Sequence, residues 1–203
     1  MKNKTINSEK ILSDYGNYLL IHGERPKNIY VFAQENHFDE KEFYQFFSSF
    51  EHLEKEILKH FFQKSLELSL EIEGYEDMSA KERLLNLYFI FFENLTMNRS
   101  LVLMILGKKN LSTVQKLHEL KSEHQKFIKT LDFNDLEILE KAKDSIKNFN
   151  EKSREEALWL HFLSIIEFWQ KDESPSFEKT DLFIEKTIDT GFEFLNNEPL
   201  KKI

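Results

Sequence analysis

The stretch Ala33–Phe47, AQENHFDEKEFYQFF, has the residue spacing of a helix–turn–helix. Ile29 before it and Leu53 after it continue the apolar pattern at helical intervals. Asp39 and Glu42 have the spacing of a capping box, a pattern that marks the first turn of a helix. The sequence therefore predicts two short helices in succession, the second of which begins after Asp39.

The composition of the whole chain indicates an all-α protein. Its 203 residues include only 5 Gly and 3 Pro, and Leu, Phe, Glu and Lys dominate. The 20 Phe indicate an aromatic core, or a core with room for an apolar ligand. The chain has no Cys, which excludes disulfides, thiolate metal sites and cysteine nucleophiles. The N-terminus lacks the apolar stretch of a signal peptide, and the longest apolar run is too short to span a bilayer, so we expect a cytoplasmic protein.

Start and stop signals along the chain predict about nine to ten helices and no strand. The first three form a small module, residues 1–52, with the helix–turn–helix inside it. A long fourth helix joins this module to a larger helical bundle, residues 53–203. The last two helices are predicted to begin near Ser153 and Ser176, on either side of the turn signal KDESPS. Boundaries predicted in this way are uncertain by about two to four residues.

The helix–turn–helix region resembles the TetR family of bacterial regulators. The family pattern is roughly Ile-Ala-x-x-Ala-Gly-Val-Ser-x-x-x-Phe-Tyr-x-x-Phe, followed by Ser-Lys-Glu-x-Leu. The residues that match this pattern and the glycine before it in register are Gly23, Ala33, Phe43, Tyr44, Phe47, Ser49, Glu51 and Leu53. The stretch 172–195, DESPSFEKTDLFIEKTIDTGFEFL, is similar to divergent TetR-like proteins common in the Bacteroidetes.

The resemblance implies a ligand-responsive transcriptional regulator that binds double-stranded operator DNA as a homodimer. Tyr44 and Gln45 would face the DNA, because Gln pairs with adenine and Tyr often contacts phosphate. Lys41 would face it as well, and Lys27 would bind phosphates together with Lys2 and Lys4. The alternative for Tyr44 and its neighbour Phe43 is that they only pack the small module.

Several departures from the family pattern favour a second interpretation. Glu40 and Glu42 are acidic where the family often has Lys, Gly or Thr, and Gln45 replaces a usual Arg or Lys. His37 stands where the family has its turn glycine. Residues 1–52 contain six Lys or Arg against eight Asp or Glu, a net charge of −2, within a chain of net charge −8. A DNA-binding module must neutralise phosphates, and a negative net charge is unfavourable for that. The alternative is therefore a TetR-fold protein that has lost DNA binding and binds a lipid or other apolar ligand.

The resemblance also implies a ligand pocket between helices of the larger bundle. Its predicted lining residues are Tyr88, Phe91, Phe92, Met104 and Trp159. The alternative, which is the more common one for any single residue of this kind, is that these side chains are packed core. A ligand that binds such a lining should be apolar, either planar or long-chain, with few charges.

In the TetR family the last two helices pair with those of a second subunit as a four-helix bundle. Carried over to this chain, residues 153–170 and 176–196 form the dimer interface. The interface side chains that the apolar stripes of these helices predict are Phe162, Ile166, Ile184 and Ile188. Such stripes alone are more often ordinary core than interface, and only their position in the last two helices, after a turn, makes the two interpretations comparable.

No pattern of catalytic residues is recognisable in the sequence. The five glycines are too scattered for a phosphate-binding loop. None of the seven His has Glu three residues before it, as a di-iron site in a helical bundle requires. His60 has Glu56 four residues before it, a pair that is more often a surface contact than a metal site. We therefore predict a protein that is not an enzyme and has no metal or cofactor.

Overall fold

The computed structural model of the protein describes residues 6–107, 116–133 and 144–196, with the backbone alone at 144–150 and 193–196. Over these ranges all regular structure is helical, which confirms the predicted all-α fold. The nine α-helices of the described chain are α1 (Ser8–His22), α2 (Ile29–Glu35), α3 (Glu40–Phe43), α4 (Phe50–Leu70), α5 (Ala80–Met97), α6 (Arg99–Leu106), α7 (His118–Thr130), α8 (Asp144–Lys171) and α9 (Glu178–Asn196). Short 3-10 helices lie at Tyr75–Asp77 and Pro175–Phe177.

The chain forms two compact units, each assembled from two separate segments. Unit 1 comprises Met1–Phe61 and Met97–Leu120, and unit 2 comprises Phe62–Thr96 and Lys121–Ile203. The helix–turn–helix therefore shares its unit with α6, a helix distant in sequence. These units group residues by packing and not by role, so the functional boundary predicted between residues 52 and 53 stays a prediction.

The core of the helix–turn–helix is built around the ring of Phe32, which is fully buried. Edge-to-face contacts join this ring to Tyr15 of α1 at 5.9 Å, to Phe38 at 5.6 Å and to Phe43 of α3 at 6.3 Å. The ring of Phe50, at the start of α4, makes the same kind of contact with Phe32 at a centroid distance of 5.8 Å. Each such pair contributes about 0.5–1.5 kcal/mol beyond the apolar area that it buries. One side chain of α2 thus fixes α1, α3 and α4 around it.

The turn between α2 and α3 has a strained backbone at His37. This residue has φ 61°, in the left-handed region that suits glycine, and it stands where the TetR pattern has its turn glycine. The capping box predicted for α3 is present, and the backbone N–H of Asp39 donates to the carboxylate of Glu42 at 2.8 Å. The sequence pattern thus located both the turn and the start of the second helix.

In unit 2 the helix that contains Ser153 begins earlier than predicted. The helix α8 starts at Asp144, so Ser153 lies inside it and caps nothing. The cap of α9 is formed by Asp172, whose carboxylate accepts hydrogen bonds from the backbone N–H groups of Ser174 at 2.8 Å and Thr180 at 2.9 Å. Burial raises the pKa of Asp172, but these bonds and those from the two hydroxyl groups lower it to about 2.

No single helix of the described ranges is both long enough and apolar enough to cross a bilayer. The helices α5 and α6 satisfy the length and composition criteria only when they are taken together as a bent pair.

We expect the substitution His37→Gly to stabilise the protein. The imidazole is exposed and has no hydrogen bond within the described residues, so its loss costs little. Glycine removes the left-handed penalty of about 1–2 kcal/mol, offset in part by its own loss of backbone entropy. The net gain in the free energy of unfolding should be up to about 1 kcal/mol in urea denaturation.

The variant His37→Val provides the opposite test, because a β-branched residue tolerates positive φ poorly. It should lower the free energy of unfolding. A loss of stability in His37→Gly would contradict the assignment of strain to this turn.

Candidate functional site

The described residues that are predicted to contact DNA are all exposed side chains of unit 1. Tyr44, just after α3, has 53% of its surface exposed, whereas its neighbour Phe43 is fully buried. Gln45, Lys41 and Lys27 are exposed as well. We call the exposed side chains of Lys27, Lys41, Tyr44 and Gln45 the recognition surface. Phe43 provides the packing, whereas the exposed Tyr44 hydroxyl donates a long hydrogen bond to the Glu40 carboxylate at 3.5 Å. The further predicted phosphate contacts, Lys2 and Lys4, lie outside the described residues.

Acidic side chains dominate the charge around the recognition surface. Residues 6–52 carry four Lys or Arg against eight Asp or Glu. Lys41 is paired with Asp39 at 3.3 Å, and Lys10 is paired with Asp14 at 2.5 Å. Arg25 is bound by two carboxylates. Lys27 has no ion pair within the described residues.

A buried carboxylate, Glu54 of α4, lies at the centre of unit 1 with 2% of its surface exposed. One of its oxygens, Oε1, accepts hydrogen bonds from the Tyr15 hydroxyl at 2.7 Å and from Arg25 Nε at 2.8 Å. The other oxygen, Oε2, accepts from Arg25 Nη2 at 2.6 Å and pairs with Lys116 Nζ at 3.0 Å. Lys116 also donates to the carbonyl of Ile105 at the end of α6. Together these contacts offset the free-energy cost of removing the Glu54 charge from water.

Contacts around Glu54 shift the pKa values of Arg25, Tyr15 and Glu51. The hydrogen bond to Glu54 raises the pKa of Arg25, and burial raises the pKa of the Tyr15 hydroxyl. Partial burial alone would raise the pKa of Glu51, the second carboxylate on Arg25, but a backbone hydrogen bond and the guanidinium lower it. Near neutral pH Arg25 is therefore charged, the Tyr15 hydroxyl is protonated and Glu51 is ionised.

Sequence reasoning did not single out Glu54. A signal was available, because this carboxylate lies four residues after Phe50 and three before Ile57, within the apolar stripe of α4. A charged residue on a buried helical face requires partners of opposite charge. Their identity could not be read from spacing, since Lys116 lies far away in the sequence.

Four of the five predicted ligand-lining residues come together in unit 2. Tyr88, Phe91, Phe92 and Trp159 are buried and pack around the ring of Phe162, at centroid distances of 5.1, 5.2, 5.8 and 5.8 Å. We call these five residues the aromatic cluster. The fifth predicted lining residue, Met104, is half-buried in α6 and belongs to unit 1.

A histidine that sequence reasoning missed, His124 of α7, contacts the aromatic cluster. Its ring lies 4.9 Å from that of Phe162, and its Nε2 is hydrogen-bonded to the Tyr88 hydroxyl at 2.7 Å. Burial lowers the pKa of His124 to about 3, so its imidazole is neutral. The other ring nitrogen, Nδ1, is buried and has no hydrogen-bond partner in the described part of the protein. An unsatisfied buried polar atom costs about 1–3 kcal/mol.

The four residues predicted for the dimer interface are buried within a single chain. Phe162 and Ile184 have no exposed surface, and Ile166 and Ile188 have 4% and 2%. A second subunit could therefore reach them only through their neighbours. Whether they stabilise a dimer stays a prediction.

The outer faces of α8 and α9 carry other apolar side chains. Leu160 has 63% of its surface exposed and Leu182 has 47%. The rings of Phe168 and Phe183 stack in parallel at 4.5 Å and line an open cleft of about 500 Å³. Along α8, Ala157 and Ser164 are exposed on the same face, at helical spacing from Leu160 and Phe168.

The structure thus combines an all-helical fold, a helix–turn–helix with an exposed recognition surface and a second unit with an aromatic core. A family model described as tetracyclin repressor-like, C-terminal domain, matches residues 83–203, which is more than half of the chain. The chain therefore belongs to the TetR family of regulators. No curated protein matches it.

We expect Glu54→Gln and Glu51→Gln to differ sharply in stability, although each removes one carboxylate from Arg25. Glu54 is buried, and its neutralisation leaves Lys116 and part of Arg25 without a counter-charge, at a cost of about 3 kcal/mol or more. Glu51 has 59% of its side chain exposed, so its neutralisation should cost less than about 1 kcal/mol. Denaturant unfolding of both variants measures the difference. Equal costs would show that Glu54 does not hold unit 1 together.

Proposed function

We propose that this TetR-family protein is a ligand-responsive transcriptional regulator that binds operator DNA as a homodimer. The observation that supports the proposal best is the helix–turn–helix, whose packing side chains are buried while Tyr44, Gln45, Lys41 and Lys27 are exposed. In helix–turn–helix proteins the second helix enters the major groove and the first crosses the backbone. Membership of the TetR family, supported by the match at residues 83–203, agrees with this role.

Different roles on DNA follow from the chemistry of these side chains. The Gln45 amide can both donate to and accept from an adenine edge, which makes it the candidate for base recognition. Tyr44 and Lys41 flank it and are suited to phosphate oxygens. Lys27, which lies just before α2, has no ion pair with any residue that the structure describes, so none of those contacts must break before it binds a phosphate. We therefore assign specificity to Gln45 and general affinity to Lys27.

The proposed ligand site is the aromatic cluster together with His124. The cluster is closely packed, so a ligand must separate its rings and stabilise the separated arrangement. His124 Nδ1 favours a ligand that supplies one hydrogen-bonding group, because this atom has no partner within the described residues. The expected ligand is thus a largely apolar molecule with a single polar group. It regulates the protein only if it binds the DNA-competent and DNA-incompetent states unequally.

The proposed dimer interface is the outer face of α8 and α9. Small side chains at Ala157 and Ser164 would allow a second helix to approach closely, and Leu160 and Leu182 would provide apolar contact area. The buried residues Ile184 and Ile188 would then support this face from below. The choice of α8 and α9 agrees with the TetR family, in which the last two helices of each subunit form the four-helix interface.

A second candidate function is that of a TetR-fold protein that binds an apolar ligand and no DNA. The specific observation that favours it is the charge near the recognition surface, where eight carboxylates face four cations over residues 6–52. Non-specific binding to DNA depends mainly on the neutralisation of phosphates. Retention of a duplex at low salt distinguishes the two candidates.

We expect Gln45→Ala and Lys27→Ala to weaken DNA binding in different ways. Selection from a random duplex pool would first identify the preferred site. Gln45→Ala should cost about 1–3 kcal/mol on that site and little on unrelated sequences. Lys27→Ala should weaken binding to all sequences similarly and make the salt slope shallower by about 0.9. Lys64→Ala, which removes an exposed cation from unit 2, is the matched control.

The salt titration also decides between the two candidate functions. No retention of any duplex at low salt would reject the regulator and leave the ligand-binding protein. Equal losses for Lys27→Ala and Lys64→Ala would instead remove Lys27 from the DNA contacts.

For the dimer we expect the double substitution Leu160→Glu and Leu182→Glu to produce a folded monomer. Both side chains are exposed in the single chain, so charges there spare the core but repel across a paired surface. Light scattering gives the mass, and circular dichroism verifies the fold. Ile21→Glu, at an exposed residue of unit 1 with 76% of its surface accessible, is the control and should remain dimeric. A dimer that survives the double substitution would place the interface elsewhere.

A further inference from the structure

Arg25, in the loop between α1 and α2, has a guanidinium held by a buried partner. Its Nε and Nη2 donate to the two oxygens of Glu54 at 2.8 and 2.6 Å. This fork-on-fork geometry fixes the plane of the guanidinium, because both bonds must be kept for Glu54 to stay satisfied. The third nitrogen, Nη1, points away from Glu54, and 37% of the Arg25 side chain is exposed. Arg25 is therefore a cation whose orientation is fixed before any partner arrives.

The third nitrogen of Arg25 is bound to a carboxylate at the protein surface. Nη1 donates to Oε1 of Glu51, a side chain that is 59% exposed at the start of α4. Surface ion pairs of this kind are weak, because water and salt screen both charges. Glu51 can turn into solvent without breaking the core, whereas Glu54 cannot. The two carboxylates on one guanidinium thus differ in how easily they are replaced.

We propose that Arg25 is a phosphate-binding residue of the recognition surface, and that Glu51 occupies the place of the phosphate oxygen when no DNA is bound. This inference rests on the proposed DNA binding. A carboxylate oxygen and a phosphate oxygen are alternative acceptors for the same guanidinium N–H. On DNA, Nη1 exchanges the Glu51 carboxylate for a backbone phosphate while Nε and Nη2 remain on Glu54.

Arg25 lies two residues before Lys27 in the same loop, so the two cations can follow one stretch of DNA backbone. The other two cations of residues 6–52, Lys10 and Lys41, are paired with carboxylates of their own segments. Arg25 therefore gives this loop a second cationic N–H donor for a phosphate strand. It also explains how a module with excess acid can still bind DNA.

The exchange of Glu51 for a phosphate has a free-energy cost that is the same for every DNA sequence. When a phosphate displaces Glu51, the freed carboxylate remains close to another negative charge. This penalty lowers affinity for non-specific DNA, so only sites with good base contacts are bound tightly. Glu51 would thus act as a built-in competitor that raises the threshold for binding.

The test compares the full-length protein with the variants Glu51→Gln and Glu9→Gln. Both variants remove one exposed carboxylate from the same unit, but Glu9 lies on α1 and has no ion pair within the described residues. The probe is a duplex without a selected site, titrated over salt concentration. Relative to wild type, Glu51→Gln should bind about two- to five-fold more tightly, the range expected for loss of one surface ion pair. Its salt slope should be steeper by up to about 0.9, because no freed carboxylate then offsets the charge that Arg25 places on the phosphate.

Each outcome decides the proposal. A gain in affinity and slope for Glu51→Gln that exceeds that of Glu9→Gln supports it. Equal effects of the two variants, with wild type binding the duplex, overturn the role of Arg25 and leave the DNA-binding function standing. Failure of all three proteins to bind any duplex at low salt overturns both. Binding by Glu51→Gln alone would support both and show that Glu51 suppresses the interaction.

Discussion

The buried charge of Glu54 is the constraint on which unit 1 depends. A carboxylate that is removed from water is tolerated only if hydrogen bonds and counter-charges replace the lost solvation. Here the replacements come from Tyr15 of α1, from Arg25 before α2 and from Lys116, which also binds the last turn of α6. Since none of them can leave without exposing the charge to an apolar core, the start of the helix–turn–helix and the end of α6 are fixed to the same side chain of α4.

The same contacts also determine the electrostatics of the recognition surface. Arg25 is the cation that we propose for a phosphate, yet it neutralises Glu54 and is paired with Glu51 as well. A protein that uses its cations to stabilise its own fold has fewer of them available for DNA. The acidity of this helix–turn–helix is therefore partly a consequence of how it is held together. A negative net charge in this module is therefore compatible both with a regulator and with a protein that has lost DNA binding.

The sequence predicted features that depend on local spacing and missed those that depend on distant contacts. The turn at His37 and the capping box at Asp39 follow from residues within a few positions of each other, and both are present. The partners of Glu54 lie in three separate segments, which no periodicity can relate. A stripe such as that of Ile184 is apolar whether it faces a core or a second subunit, because both remove it from water. Burial within one chain shows only that such a residue belongs to the core.

Glu54 and His124, two of the buried polar side chains, differ in whether their polar atoms are fully hydrogen-bonded. Glu54 is fully satisfied, so any rearrangement around it loses hydrogen bonds to a charge and is resisted. The Nδ1 atom of His124 has no partner among the described residues, and a rearrangement that provides one gains free energy. A ligand that brings a hydrogen-bonding group into the aromatic cluster would recover the free energy lost at the unsatisfied Nδ1 atom. The contacts around Glu54 would keep the recognition surface intact while the ligand binds. On this argument the unsatisfied histidine, more than the number of aromatic rings, supports the proposal that a ligand binds in unit 2.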